Sequence, residues 1–168
     1  MASGEDAAYA DAVAGSALAG MQNVPVLLTH PTEVAKSTQD AINELKPKKV
    51  VVLGGPAAVS DAVAQQLGAS ERLAGANRYE TAAEIAEQFG GTDWTFVADG
   101  MDFPDALTGG AYAASVDSPV LLTRTAKLPA ATSAYITANT TEKTVIFGGT
   151  AAVSEGVEAE LKAILGIN

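Results

Sequence analysis

Short apolar runs that end in Gly, Asp or Thr recur along the whole chain. They read VVVLGG, TFVADG and TVIFGG, together with PVLLT, which occurs twice. Runs of this length that are rich in Val and Leu and apolar at every position are typical of strands buried on both faces of a parallel sheet. We therefore predict strands at these runs.

The segments between the runs have helical spacing. Apolar residues fall at every fourth position from Val59 to Leu67 and again from Val153 to Leu161, and a third apolar stripe extends from Tyr79 to Phe89. Ser60 and Ser154 are placed to cap two of these helices. Because predicted strands and helices alternate, we predict an α/β fold, with helices flanking a mostly parallel sheet.

The chain contains an internal repeat. A shift of 94 residues aligns 9–69 with 103–163 without a gap, and 23 of the 61 positions are identical. The identities cluster in three blocks: DAVAGSALA with DALTGGAYA, PVLLT with PVLLT, and VVLGGPAAVS with VIFGGTAAVS. Clustered identities of this kind indicate two copies of one structural unit.

The segment 70–100 occurs once, which fixes the boundaries of the repeat. We predict a complete unit at 70–168 and the later two-thirds of a preceding unit at 1–69. The first copy has two extra residues after Gly4, and it reads AAYADAV where the second reads DFPDAL. We expect the chain to be a fragment of a longer protein, without its signal peptide.

Composition and charge exclude several classes of function. The 168 residues carry a formal net charge of −10, which disfavours nucleic acid and anionic membrane surfaces as partners. Cysteine is absent and histidine occurs once, so disulfides, thiol nucleophiles and histidine metal sites are not expected. No apolar run is long enough to span a bilayer.

The ordered motif series RLAGANRYETA, VADGMDFPDAL, PVLLT and GGxAAVS resembles the cell-wall-binding repeat type 2 family of Gram-positive bacteria. The resemblance covers nearly the whole chain. It implies a Rossmann-like or flavodoxin-like fold built from tandem repeats, with units that pack in a pseudo-threefold cluster. It also implies a secreted protein at the cell wall or cell surface, held non-covalently by an anionic wall polysaccharide or a teichoic-acid-like polymer.

The candidate polymer contacts come from three parts of the motif series. Asp11 and Asp105 precede Ala-rich helices, where each carboxylate either contacts ligand or accepts backbone N–H bonds. Arginine pairs well with carboxylate or phosphate, but the structural alternative is an inter-unit salt bridge. The full set of candidates is Asp11, Leu27, Leu28, Gly54, Gly55, Arg72, Asn77, Arg78, Asp105, Leu121, Leu122, Gly148 and Gly149.

Both repeated elements among these candidates have a structural alternative. The glycine pairs are predicted to end strands and open helices, where free N–H groups bind anions; the alternative is a tight turn. The leucines belong to PVLLT, which the family ties to polymer binding. They are most simply explained as parts of buried strands.

No catalytic residue, metal site or cofactor is predicted. Asp99, Asp102 and Asp105 are spaced by three, but they do not form a calcium-loop pattern. The predicted function is therefore a non-catalytic wall-binding module. The alternatives are an α/β hydrolase or nucleotide-sugar enzyme, and a structural repeat of a surface layer.

We also predict self-association into a homo-oligomer. The first copy begins near its first helix, so it is expected to lack the strand matching Trp94–Ala98 and the helix matching Tyr79–Phe89. Such a unit exposes a sheet edge that pairs readily with another chain. If strands of both copies instead share one compact domain, little surface is left to bury.

Overall fold

The structure is a computed structural model that describes residues 1–5, 8–102, 104–139 and 141–167. Ala7 of AAYADAV and Phe103 of DFPDAL lie outside the described residues. The helices and strands follow one another as β1 Ala2–Ser3, α1 Tyr9–Met21, β2 Leu28–Thr29, α2 Lys36–Leu45, β3 Val51–Leu53, α3 Asp61–Gln66, β4 Glu71–Leu73, α4 Arg78–Ala86, β5 Trp94–Asp99, α5 Pro104–Ser115, β6 Val120–Thr123, α6 Ala130–Ala138, β7 Lys143–Phe147 and α7 Glu155–Leu165, with a 3₁₀ turn at Glu87–Phe89 after α4.

The second copy forms a three-stranded parallel sheet in the order β6–β5–β7. The register pairs Phe96 with Val120 on one side and with Val145 on the other. Three of these predicted strands therefore form where the apolar runs place them. The parallel sheet with flanking helices confirms the predicted α/β class.

The first copy forms two parallel pairs, β1–β2 and β3–β4. Met1 joins them, since its amino group donates to the Val51 carbonyl (2.7 Å) and its carbonyl accepts from Leu53 N–H (2.8 Å). The strands thus lie in the order β2–β1–β3–β4. β4 follows the predicted boundary at 69/70 yet pairs with the first copy, and the boundary itself stays a prediction.

We expected the first copy to lack the strand that matches Trp94–Ala98. This expectation is wrong for the carboxyl end of that strand, which is present in the first copy. Ala2 pairs with Leu28 as Ala98 pairs with Leu122. Met1 and Ala2 therefore stand where Val97 and Ala98 stand in the second copy. The sequence comparison missed this because the two extra residues after Gly4 shift the register by two.

Small residues bring α1 and α5 into close contact. A Cβ atom on Gly20 would lie 2.5 Å from the Ala114 Cβ, and one on Gly110 would lie 2.9 Å from the Ser16 Oγ. Each helix also packs onto its own sheet through a glycine, since a Cβ on Gly109 would lie 2.1 Å from the Phe147 ring. The Ala- and Gly-rich sequence of these helices is thus explained by the contact between the two copies.

α4 lies at the junction of the two copies. Its Tyr79, Ala82 and Ile85 are buried in one core cluster with Leu53 of the first sheet and Leu122 of the second. Its Ala86 belongs to a second cluster beneath α6 and α7. The helix that occurs once therefore supplies core to both copies.

Both predicted serine caps are confirmed. The Ser60 hydroxyl accepts from Val63 N–H (3.3 Å), and the Ser154 hydroxyl accepts from Val157 N–H (3.4 Å). These caps begin α3 and α7 at the residues after the serines. No helix in the described ranges is long and apolar enough to cross a membrane.

Candidate functional site

Loops from the carboxyl ends of both sheets meet at the start of α4. Arg78, the first residue of α4, donates to the carbonyl of Gly100, which follows β5. Its guanidinium carbon also lies 5.8 Å from the centre of the Tyr9 ring, at the start of α1. Since ligands of open α/β sheets bind outside the carboxyl ends of the strands, this junction is the candidate binding site.

A second arginine joins this junction from the loop after β6. The Arg124 guanidinium carbon lies 5.0 Å from the centre of the Tyr79 ring, and the Arg124 side chain is exposed. The Tyr79 ring is buried, and its hydroxyl has no hydrogen-bond partner within the described residues. We call this group, Tyr9, Arg78, Tyr79, Gly100 and Arg124, the α4 rim.

The α4 rim contains one residue that the sequence assigned to the site and several that it did not. Arg78 was a candidate; Arg124 and Tyr9 were not. The sequence contained a signal that could have identified Arg124. It directly follows PVLLT, and its counterpart His30 also has a basic nitrogen-containing side chain. Tyr9 carried no such signal, since only the packing of α1 beside α4 brings it to Arg78.

Asp11 and Asp105 have the same place in the two copies. A Cβ atom on Gly54 would lie 2.2 Å from the Asp11 Oδ2, and one on Gly148 would lie 2.6 Å from the Asp105 Oδ2. Both glycines also have positive φ angles, of 96° and 111°. The repeated Asp and the repeated Gly are therefore partners in close contact across the carboxyl edge of each sheet.

The two carboxylates differ in exposure. Asp11 is 8% exposed and Asp105 is exposed. Burial raises the pKa of Asp11 to about 6, and the positive charge of Arg78 opposes part of that rise. Asp11 is thus a buried acid whose charge depends on pH near neutrality, held beside a rim arginine.

Arg72 makes a salt bridge within the protein, and such a bridge was the structural alternative to ligand contact. Its Nη1 donates to the Gly54 carbonyl (2.6 Å) and its Nη2 contacts Asp61 Oδ1 (3.1 Å). The side chain is only 22% exposed. Arg72 therefore fixes the end of β3, and its guanidinium is engaged within the protein.

Asn77 is the N-cap of α4. Its Oδ1 accepts from the N–H groups of Tyr79 (3.0 Å) and Glu80 (3.1 Å), and its Nδ2 donates to Glu80 Oε1 (2.7 Å). A cap of this kind satisfies backbone donors that the helix leaves unpaired. The side chain of Asn77 thus orients the helix that presents Arg78.

The expectation that the glycine pairs open helices is wrong. The strands end at Leu53 and Phe147, but α3 and α7 begin only after the serine caps. Between them Gly55 and Gly149 open tight turns, in which each glycine carbonyl accepts two N–H groups at 2.9–3.0 Å. An anion site at a helix start therefore does not lie at Gly54, Gly55, Gly148 or Gly149.

The repeated PVLLT motif has different surroundings in its two copies. Leu121 and Leu122 are buried in the core, at 0% and 1% exposure. The prediction that these two leucines contact the polymer directly is therefore corrected. They are part of the core, as residues of β6. In the first copy Leu27 is half-buried and Leu28 is 51% exposed, so the same motif is only partly covered there.

The remaining polar candidates are held by local contacts. His30 contacts Thr32 through Nδ1 (3.0 Å) and Glu5 through Nε2 (3.2 Å). Asp99 accepts from Met101 N–H (3.0 Å) and lies 3.4 Å from the Thr125 hydroxyl. Across the part of the chain that the structure describes, no three carboxylate or imidazole groups come together as a ligand set for a metal.

Comparison with known proteins finds, along the whole chain, the family that the motif series resembles. The family described as cell wall binding domain 2 (CWB2) matches residues 1–64 and again 72–158. In Bacillus subtilis (strain 168), the N-acetylmuramoyl-L-alanine amidase LytC is 36% identical and the amidase enhancer 34% identical, each over 157 residues. Those matches cover 91% and 92% of this chain but only 32% and 21% of the relatives, so the chain spans a third of their length or less.

Two solved structures from Clostridium difficile share the fold. Cwp6 superposes with a TM-score of 0.84 at 23% identity, covering 93% of this chain and 26% of its own. Cwp8 superposes with a TM-score of 0.78 at 30% identity, covering 94% of this chain and 28% of its own. The chain is thus built from cell-wall-binding repeats of the kind found in Gram-positive wall and surface proteins, and it belongs to the cell wall binding domain 2 family.

Proposed function

We propose that this chain anchors a secreted surface protein by binding an anionic secondary wall polymer, without covalent chemistry. The observation that carries the proposal is the α4 rim, where the guanidinium groups of Arg78 and Arg124 lie beside the rings of Tyr9 and Tyr79. Guanidinium groups pair bidentately with phosphate and carboxylate. The α4 rim is thus a cationic patch in a chain whose net charge is −10.

Arg124 is the polymer-contacting group in this proposal. It is exposed, and it takes part in none of the side-chain salt bridges found within the described ranges. Arg78 is partly buried and is held by Gly100 and Tyr9. Arg78 therefore sets the local positive potential, while Arg124 reaches the ligand.

The test is calorimetric titration of the chain with purified secondary wall polymer. A hydrogen-bonded contact to a charged group contributes roughly 1.5–3 kcal/mol, so Arg124→Ala is expected to weaken binding by about tenfold or more. Lys162→Ala is the matched control, because it removes one positive charge from α7, where Lys162 pairs with Glu158. If both variants lose affinity equally, the effect is general charge and the α4 rim is not the site.

Arg78→Ala separates binding from folding at the same place. We expect weaker polymer binding and a chain that remains folded by circular dichroism. Because Arg78 lies beside the buried Asp11, its loss also removes a favourable charge interaction. The double variant Arg78→Ala with Asp11→Asn removes that complication. If folding is lost while the affinity of the folded fraction is unchanged, Arg78 belongs to the structure alone.

The absence of catalysis is tested on the wall itself. LytC is named as an amidase, but this chain spans only 32% of it. We expect no release of soluble wall fragments or new amino groups when the chain is incubated with purified walls. Reproducible turnover that is abolished by Asp105→Asn would replace the binding function with an enzymatic one.

A further inference from the structure

The loop that joins β6 to α6 holds two positive side chains next to each other. Arg124 and Lys127 form an isolated antiparallel bridge, in which the Arg124 N–H donates to the Lys127 carbonyl (3.3 Å). Residues directly opposite each other in an antiparallel pair project their side chains to the same face, with Cβ atoms roughly 4.5–5.5 Å apart. Both residues are exposed, so the loop presents a pair of cations to solvent.

The described part of the protein does not neutralise this pair. The salt bridges within the described ranges involve neither Arg124 nor Lys127, although the chain has 20 acidic residues and 10 Lys and Arg. Like charges directly opposite each other destabilise a pair of strands. An anion bound between the two side chains removes that repulsion, so the arrangement favours an anionic ligand.

The backbone of the loop is fixed by hydrogen bonds. The Thr123 hydroxyl lies within hydrogen-bond distance of the Arg124 carbonyl (3.1 Å) and the Lys127 carbonyl (3.4 Å). The Ser154 N–H donates to the Thr125 carbonyl (2.8 Å). Because the protein holds the backbone that carries both cations, less conformational freedom is lost when a ligand binds.

Side chains around the loop hold it in place as well. The Arg124 guanidinium carbon lies 5.0 Å from the centre of the Tyr79 ring. The Thr125 hydroxyl donates to the Asp99 carboxylate (3.4 Å), which is buried and also accepts from Met101 N–H. Asp99 therefore contributes to the position of the loop and forms no salt bridge with its cations.

The equivalent loop of the first copy has a similar backbone and a different charge. The Thr29 hydroxyl lies within hydrogen-bond distance of the His30 carbonyl (3.4 Å) and the Glu33 carbonyl (3.1 Å), as in the second copy. His30 and Glu33 are the counterparts of the two cations. His30 Nε2 lies 3.2 Å from Glu5 Oε1. The first copy thus presents an exposed carboxylate where the second presents Lys127.

We propose that Arg124 and Lys127 form a cation clamp that holds one oxyanion of the wall polymer, a phosphate or a carboxylate, and that the loop 30–33 holds none. A guanidinium group pairs with two oxygen atoms of one oxyanion, and an ammonium group binds the same anion as a point charge. The identity of the ligand rests on the proposed function. The clamp adds Lys127 to the polymer contacts and restricts them to one of the two equivalent loops.

The first test is calorimetric titration of the full chain with purified secondary wall polymer. Lys127→Gln is expected to weaken binding by about tenfold or more, because a charged hydrogen-bond donor is lost. Lys48→Gln is the matched control, since Lys48 is also exposed and forms none of the salt bridges within the described ranges. It is expected to leave the affinity within about twofold of the unchanged chain.

A double variant tests whether both side chains hold the same anion. Contacts to one group are coupled, whereas contacts to separate groups contribute additively. Arg124→Ala combined with Lys127→Gln is therefore expected to bind only slightly more weakly than the weaker of the two single variants. Losses that multiply would assign the two side chains to separate parts of the polymer and would overturn the clamp.

The second test uses small anions, so it does not depend on polymer binding. Inorganic phosphate and acetate are titrated separately into the isotope-labelled chain, with sodium chloride at matched ionic strength as control, and amide signals are followed by NMR. We expect saturable shifts at 124–127 with at least one anion and none at 30–33. Saturation by phosphate alone identifies a phosphate group, and saturation by acetate alone identifies a carboxylate.

The two tests separate failure of the clamp from failure of the proposed function. If Lys127→Gln binds the polymer as tightly as the unchanged chain, the clamp is wrong and polymer binding stands. If the chain does not bind the polymer but a small anion saturates 124–127, the clamp is an anion site and the proposed function is wrong. Equal shifts at both loops, or no shift at 124–127 with either anion, would overturn the clamp.

Discussion

The two PVLLT segments are identical in sequence and opposite in environment. Leu122 is 1% exposed and Leu28 is 51% exposed. α4 explains the difference, because it packs Tyr79, Ala82 and Ile85 against Leu122. In the described part of the chain no helix covers Leu28 in the same way. Burial of this motif is thus set by a neighbouring helix and not by the motif.

Local contacts, in contrast, are the same in both copies. Thr38 donates to the Leu28 carbonyl at 2.6 Å, and Thr132 donates to the Leu122 carbonyl at 2.6 Å. Thr29 and Thr123 each lie within hydrogen-bond distance of two carbonyls in the loop that follows. The repeated threonines therefore keep their hydrogen-bonding roles, while the burial of the repeated leucines depends on what packs over them.

The largest predicted difference between the copies is at these leucines. Leu122→Ala is expected to lower the free energy of unfolding by about 2–5 kcal/mol, because it leaves a cavity in the core. Leu28→Ala is expected to change it by less than about 0.5 kcal/mol, since the side chain is largely in solvent. Urea unfolding of both variants measures the contrast. Equal losses would show that Leu28 is covered in solution.

The next difference concerns the two equivalent aspartates. Burial raises the pKa of Asp11 from its ordinary value of 3.8 to about 6, so the folded state binds more protons than the unfolded state between these two pH values. Stability is therefore expected to fall as pH rises from about 4 to about 6, by on the order of 2–3 kcal/mol. Asp11→Asn should remove this slope and stabilise the chain at pH 7.

The control for this prediction is the exposed counterpart. Asp105→Asn is expected to change stability at pH 7 by less than about 0.5 kcal/mol. Thermal unfolding at pH 4, 5, 6 and 7 distinguishes the variants. A slope that persists in Asp11→Asn would assign the pH dependence to another group.

A smaller effect tests whether Asn77 is a cap or a ligand contact. Asn77→Ala is expected to cost about 1 kcal/mol through loss of the α4 cap. Asn77→Asp retains an acceptor at the helix start and should recover most of that loss. Polymer affinity per folded molecule is expected to stay within about twofold, which corresponds to under 0.5 kcal/mol. A large affinity loss without destabilisation would restore the ligand role.

The weakest expected effect is self-association through the first copy. Val24, Leu28 and Leu45 are exposed apolar residues of that copy, and exposed apolar patches favour association. We expect the mass from light scattering to rise above 17.0 kDa with concentration. Leu28→Lys should lower that rise, while Leu107→Lys in the second copy serves as control. A constant monomer mass would refute self-association.

The sequence predicted the elements better than their surroundings. The hydrophobic pattern and the residue composition predicted the strands of the second copy and both serine caps, because these features depend on local sequence. β1 was missed because two inserted residues hide its match to β5. Arg124 and Tyr9 were missed as residues of the candidate site because their neighbours come from distant parts of the chain. Leu121 and Leu122 were misassigned, because a motif tied to function can act through the core.

The most direct test of the wall-anchoring account is co-sedimentation with stripped, protein-free Gram-positive walls. The chain is expected to pellet with intact walls and to stay in solution when the secondary polymer has been extracted. Arg124→Ala should shift the binding curve to higher wall concentration, and Lys162→Ala should not. Equal binding to bare peptidoglycan would contradict the account, because the ligand would then not be the anionic polymer.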